Sequence, residues 1–496
     1  MSTIVRLSKK LKANQRSREI FWSCLTIGLP LLVYLKTVTP TVSGLDSAEL
    51  TAGAYVLGII HAPGSPLYLL IGHLFAQLPL GDVGYRLNVM STVAITLTIL
   101  LIYRSIWQLT HQRFFSILTA WFIASSYYVW ISALTADDYP LHACFAAGLV
   151  WLGLQWRENR HPLQLLGFAF LFGLGLTNHL SMILLTPGLA WLVLSVPWHD
   201  KSRWRLWLQA GGCVLAGASV YLYLPLRYLS DTPLNYARDY WHVNLATWDG
   251  FWWMVTGRMF GTLFFGIPLN SLPQEFFLYG YRLWSNYLGL GLLVGLAGLI
   301  AGLRRQRQIH IALLLMFVGH LFFYIPYRAS DKELMFLPTY VIVGIWIGLG
   351  FSVLAEQIQK RFGETNALLV PTVLVLLTAS CLAINFSLVD LSQDWSARQL
   401  GESILSTVEP RAYYFGTWAD VPILEYLQVV EQQRKDITTV NLIFTGPDFG
   451  ANLAREKLRA GYPVYTSTQW LAGEDMQIEE VDACKCYQMT LTAQVK

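Results

Sequence analysis

From its N-terminus onward the chain alternates long apolar runs with short polar breaks. A helix needs about 20 apolar residues to cross a bilayer. Eleven runs approach that length: 20–39, 85–107, 114–134, 138–156, 163–178, 180–197, 206–227, 284–303, 309–327, 336–355 and 367–386. The pattern predicts a polytopic α-helical membrane protein with about 11 transmembrane helices. Beyond residue 389 the period changes. AYYFG, ITTVNLIFTG and YPVYTS read as strands, and DVPILEYLQVVEQQRK and GANLAREKLRAG as amphipathic helices. This alternation predicts a small C-terminal α/β domain.

The expected organisation is a basic cytoplasmic N-terminus over 1–19, a transmembrane domain over 20–389, and an extracytoplasmic soluble domain over 390–496. The transmembrane domain carries outer loops at 40–84 and 228–283. The second, rich in Trp, Phe and Gly (NLATWDGFWWMVTGRMFGTLFFG), reads as interfacial helices.

Composition agrees. The chain is 54% hydrophobic and 13% charged, against roughly 25% charged in soluble domains. Its 19 Trp and 25 Tyr suit membrane interfaces. The net charge of +4 is scattered through short loops and offers nucleic acid no patch. Alternate loops collect the cations: Arg113; Arg157 and Arg160; Lys201, Arg203 and Arg205; Arg304, Arg305 and Arg307; Lys360 and Arg361. These predict the inner side. GLDSAEL, TADDYP, TNHLS, segment 228–283 and PYRASDKE then lie outside. The basic RLSKKLKANQRSR precedes a run ending in VYLKTVTP instead of a small-residue cleavage site, so it reads as leading into a retained helix. Cys24, Cys144, Cys213 and Cys381 fall in apolar runs as small hydrophobes. Cys484 and Cys486 alone specify neither a metal nor a disulfide.

Ionisable residues close to hydrocarbon are costly and mark function. Asp46, Glu49, His61, Arg86, Asp137, Asp138, Asn178, His179, Arg227, Arg328, Asp331, Lys332 and Glu333 all fall at predicted outer helix ends. Acids and bases gathered at one face suit an anionic, lipid-borne substrate. Each also has a structural reading. In GLDSAEL, Asp46 at the N-cap and Glu49 three residues on fit a capping box. In HAPGSPLY, two prolines around a glycine force a non-helical turn, which either re-enters the membrane or holds His61 near Asp46. Asp137 and Asp138 in TADDYPLH either cap a helix or offer oxygen ligands to a divalent cation. GLTNHLS is a polar turn at Asn178 and His179. PYRASDKE is either a solvated ion-pair loop or a phosphate clamp through Arg328 or Lys332. No Walker, HExxH or well-placed GxSxG motif is present.

GLDSAEL followed by LGIIHAPGSPLY and YRLN, then GLTNHLS and SDKELMFLPTY, resembles the GT-C superfamily of membrane glycosyltransferases. More narrowly, it resembles a bacterial family of unknown function that also includes a eukaryotic transmembrane protein O-mannosyltransferase. The resemblance covers residues 20–350 and is densest over 41–90. It implies a GT-C-like fold in a plasma or inner membrane. The implied reaction moves a sugar, such as mannose, from a polyprenyl-phosphate donor to an acceptor hydroxyl of protein, glycan or lipid on the extracytoplasmic face. Asp46 matches the family's loop Asp, implying a general base in an inverting single displacement. Glu49, His61, Asp137 and Asp138 then support it or meet the acceptor, and Arg86, His179, Arg328 and Lys332 are the cations for the donor phosphate. No cofactor is specified beyond the divalent cation that the paired Asp residues suggest. Family members more usually read Gly-Asp-Ser-Gly-Glu; here Leu45 and Ala48 replace the glycines. The chief alternative is a transporter or flippase, which would place ionisable groups at the midplane and show repeats; a receptor or scaffold would tolerate loss of Asp46.

Overall fold

The computed structural model describes residues 2–195, 204–329, 332–473 and 475–492, with side chains from Ser17 onward. Lys201, Arg203 and Asp331 lie outside the described residues. Among those described, six helices are long and apolar enough to cross a membrane: Ser17–Thr37, Val83–Thr110, Trp204–Tyr228, Arg307–Tyr324, Leu334–Phe362 and Glu364–Val389. A seventh span is reached if the bent pair Leu269–Asn286 and Leu290–Arg305, meeting at 103°, counts as one.

The expected eleven is not reached because several apolar runs are interrupted. The 114–134 run breaks at Ser125 and Ser126, between helices Arg113–Ala124 and Tyr127–Ile131. Both hydroxyls bond back to carbonyls of the preceding turn, Trp121 at 2.8 Å and Ile123 at 2.7 Å, a local competitor of the helix ladder. The 284–303 run breaks at Leu288 and Gly289, whose φ of 51° and 64° no right-handed helix accommodates. Pro162–Asn178 and Leu180–Leu194 are shorter apolar helices.

Basic clusters converge at one end of the bundle. Gln112 and Arg305 both bind Glu356, at 3.0 and 2.9 Å, Gln306 reaches the Leu109 carbonyl at 3.3 Å, and Gln108 binds Glu158 at 2.8 Å. These bonds gather the helix ends that carry Arg113, Arg157, Arg304, Lys360 and Arg361. Loop 40–84 folds as two helices, Asp46–Val56 and Pro66–Ala76. Segment 228–283 supplies the short helices Tyr236–Asp239 and Trp248–Val255 and most of Leu272–Asn286.

The C-terminal part contains β1 (Tyr413–Gly416), β2 (Thr438–Asn441), β3 (Val464–Thr466), β4 (Met476–Val481) and β5 (Cys486–Leu491) in the order β2-β1-β3-β5-β4. β1 runs parallel to β2 and β3; β5 is antiparallel to β3 and β4. The first three strands fall in the segments predicted for them. LIFTG does not continue its strand: Asn441 Oδ1 accepts from the Ile443 amide at 3.0 Å and starts a helical turn over Leu442–Thr445.

This part packs directly on loop 40–84. One buried cluster joins Val42, Ala48 and Leu50 to Ile404, Ile423, Leu424 and Leu427, and each buried aliphatic side chain contributes about 1.5–3 kcal/mol. Polar contacts cross the same boundary: the Gly84 amide donates to Tyr426 Oη at 3.3 Å, and Arg398, held by Glu431 at 2.7 Å on its own side, reaches Asp82 at 3.3 Å.

Candidate active site

Asp46 is the first residue of its helix and does not cap it. Leu45 holds the N-cap position, with no side-chain capping bond. Glu49 turns inward: the His61 amide donates to its Oε1 at 2.6 Å, and His61 Nδ1 lies 2.5 Å from its Oε2. The capping box expected at Asp46 and Glu49 is therefore not formed. Glu49 is fully buried, and a buried carboxylate must be paired. HAPGSPLY satisfies it with a ring and an amide together, helped by a turn in which Gly64 takes φ 86°.

Leu45 itself adopts φ 56° and ψ −139°, a region that glycine enters freely and a β-carbon disfavours. A leucine at this position thus carries strain beside Asp46. Leu45→Gly is expected to stabilise the detergent-solubilised protein by about 1 kcal/mol, read as a raised Tm. That is a strain relief of about 1–3 kcal/mol less the glycine's added unfolded-state entropy. An unchanged or lower Tm would count against strain.

Burial pushes Glu49 above the usual carboxylate range, and His61 pulls it back. Burial would lower His61, but Glu49, with Asp46 and Asp138 beyond it, raises the imidazole to about 10.

A cavity of about 560 Å³ opens beside this pair. Asp46, His61, Asp138, His179 and Ser181 form polar wall; Leu263, Phe264, Phe323, Tyr327 and Met335 form apolar wall. Ser65 Oγ donates to Asp138 Oδ2 at 2.5 Å, and Asn178 Nδ2 to the Asp138 carbonyl at 3.1 Å, fixing Asp138 between two loops. His179 Nδ1 lies 2.6 Å from Ser181 Oγ, which in turn lies 3.1 Å from His142 Nε2. Arg328 lines the same cavity with an exposed side chain. Its amide is held by the Leu263 carbonyl at 3.0 Å, while its guanidinium takes no acceptor among the described residues.

Other predicted site residues are spent elsewhere. Asp137 is not in the lining; its Oδ1 accepts from the Tyr139 amide two residues on, at 3.0 Å. The neighbouring carboxylates of TADDYP thus serve different partners. Among the described residues no three or more His, Cys, Asp or Glu gather to hold a metal ion. Arg86, expected at the donor phosphate, donates to the carbonyls of Ala76, Leu80 and Gly81 at 2.5, 2.8 and 3.0 Å. Lys332, expected there too, is buried and binds the carbonyls of Ile325 and Tyr327 at 3.1 and 3.0 Å and the Glu275 carboxylate at 2.7 Å. Arg227 closes the end of the Asp46–Val56 helix through the carbonyls of Leu57 and Val56. Open carbonyls at helix ends attract cations, and sequence position does not separate that role from phosphate binding.

The C-terminal part supplies what sequence reasoning missed. Trp418, Ile443 and Phe444 also line the cavity. Trp418 Nε1 donates to Asp46 Oδ1 at 2.5 Å. Its ring meets His61 and Phe444 edge-on, at 5.6 and 4.9 Å between centroids. One signal was available: TWAD follows AYYFG, at the carboxyl end of a parallel strand, where α/β sheets commonly present ligand-binding groups.

Residues 46–202 match the family model described as the protein O-mannosyl-transferase TMEM260 N-terminal domain. The chain is 24% identical over 467 residues to protein O-mannosyl-transferase tmem260 of Dictyostelium discoideum, covering 83% of this chain and 56% of that protein. It therefore spans little more than half that relative's length. Among solved structures, the apo oligosaccharyltransferase of Archaeoglobus fulgidus is similar with a TM-score of 0.58 at 12% identity, over 90% of this chain and 69% of that one. ArnT from Cupriavidus metallidurans, bound to undecaprenyl phosphate, is similar with a TM-score of 0.54 at 12% identity, over 95% and 98%. The chain is thus similar to the protein O-mannosyl-transferase TMEM260 N-terminal domain over residues 46–202, and it shares the fold of the oligosaccharyltransferase and ArnT structures.

Proposed function

We propose that the protein is a membrane glycosyltransferase. It moves a sugar, mannose by analogy with its relatives, from a polyprenyl-phosphate donor to an acceptor hydroxyl at the extracytoplasmic face. The observation that supports this best is one cavity lined by the Asp46 carboxylate, by Arg328, whose guanidinium has no acceptor among the described residues, and by an apolar wall. Asp46 takes the acceptor proton as the hydroxyl oxygen attacks the anomeric carbon. The bond from that carbon to the phosphate oxygen breaks, its electron pair leaves with the phosphate, and configuration inverts. Arg328 holds the departing phosphate by charge-assisted hydrogen bonds. Phe264, Phe323 and Tyr327 suit a prenyl chain, in keeping with the lipid phosphate bound by ArnT.

The test is transfer by purified protein from polyprenyl-phosphate mannose to a hydroxyl-bearing peptide, with the anomeric configuration of the product determined. No transfer from any polyprenyl-phosphate sugar to peptide, glycan or lipid acceptors would overturn the reading. Hydrogen bonds to charged groups contribute about 1.5–3 kcal/mol, so Arg328→Ala is expected to raise the apparent donor KM about tenfold or more. Lys332→Met should leave donor KM unchanged and lower Tm, because it strands Glu275. An unchanged donor KM in Arg328→Ala would remove the phosphate assignment.

A further inference from the structure

We propose that Trp418 is a positioning residue for Asp46, so that the C-terminal part completes the catalytic site; this rests on the glycosyltransferase reading. The indole N–H is a donor only, and it is spent on Asp46 Oδ1 at 2.5 Å. Among the described residues this is the one side-chain hydrogen bond that the Asp46 carboxylate makes. It fixes the rotation of the carboxylate and leaves Oδ2 for the acceptor proton.

Trp418 is itself held rigidly. Asp420 Oδ1 accepts from the Thr417 amide at 2.7 Å and its Oδ2 accepts from Tyr414 Oη at 2.7 Å, locking the turn that follows β1. The indole is then wedged between His61 and Phe444. A side chain serving only to fill space would need the ring and not the N–H; the aim of the N–H at the carboxylate distinguishes the two roles.

Trp418→Phe keeps the aromatic wedge and deletes the donor. In the full-length protein, kcat is expected to fall tenfold or more, with donor KM within twofold of wild type. A merely structural role would leave kcat intact or move KM and Tm together, and either result overturns the proposal. A double-mutant cycle on Tm with Asp46→Ala should be non-additive; additive losses overturn the contact. Wild-type kcat in Trp418→Phe beside an inactive Asp46→Asn overturns the positioning role alone. Absence of transfer by the wild-type protein overturns the functional reading and the positioning role with it.

Discussion

Asp46→Asn is expected to cut transfer by about 10²–10⁴-fold, the range that a positioned general base contributes. The amide keeps the shape of the carboxylate, and its oxygen can still accept from Trp418, but it cannot take a proton from the acceptor. Fold and activity are separable here because the helix start does not depend on Asp46. Leu45 occupies the N-cap position with no side-chain capping bond, and the buried face of the Asp46–Val56 helix is anchored through Glu49, Leu50 and Ala52. Tm should therefore stay close to wild type in Asp46→Asn. Transfer at wild-type rate by purified Asp46→Asn would remove Asp46 as the base, whatever the fate of the donor-site assignments.

Much of the architecture is legible in the apolar runs because a bilayer demands continuous apolar length. Breaks inside those runs are less legible. Ser125 and Ser126 look tolerable in an apolar stretch, yet their hydroxyls compete for backbone carbonyls and end the helix. At the site, the nearness of His61 to Asp46 could be anticipated from the rigid HAPGSPLY turn. Its partner could not. The spacing of Asp46 and Glu49 is that of a capping box, and only burial of the Glu49 face, with His61 packed against it, decides the competition. Arg86 and Lys332 show the same limit: a cation at a helix end meets a phosphate or a carbonyl according to which way the fold turns it. Trp418 stands 372 residues from Asp46, and no local pattern encodes a pairing across that distance.

Glu49→Ala is expected to cost about 3–5 kcal/mol, the range for removing one member of a buried ion pair. It leaves the His61 ring and amide without their acceptor beside a void, and unpins the loop whose Ser65 holds Asp138. Glu49→Gln should cost less, since its amide oxygen can accept one of the two His61 donors. The pH dependence identifies the cause. His61 is raised in the folded protein to about 10, against about 6.5 in an unfolded chain. Its contribution to stability is therefore complete below about pH 6.5 and declines as pH rises through about 10. Tm of the wild-type protein, measured in detergent from pH 6 to 10, should fall toward alkaline pH, and Glu49→Gln should flatten that slope by removing the charge that raises His61. Retention of the full alkaline slope in Glu49→Gln would mean that this carboxylate does not hold the imidazolium. The HAPGSPLY loop would then be anchored chiefly through Ser65 and Asp138, and Glu49→Ala would lose much less stability than a broken buried pair requires.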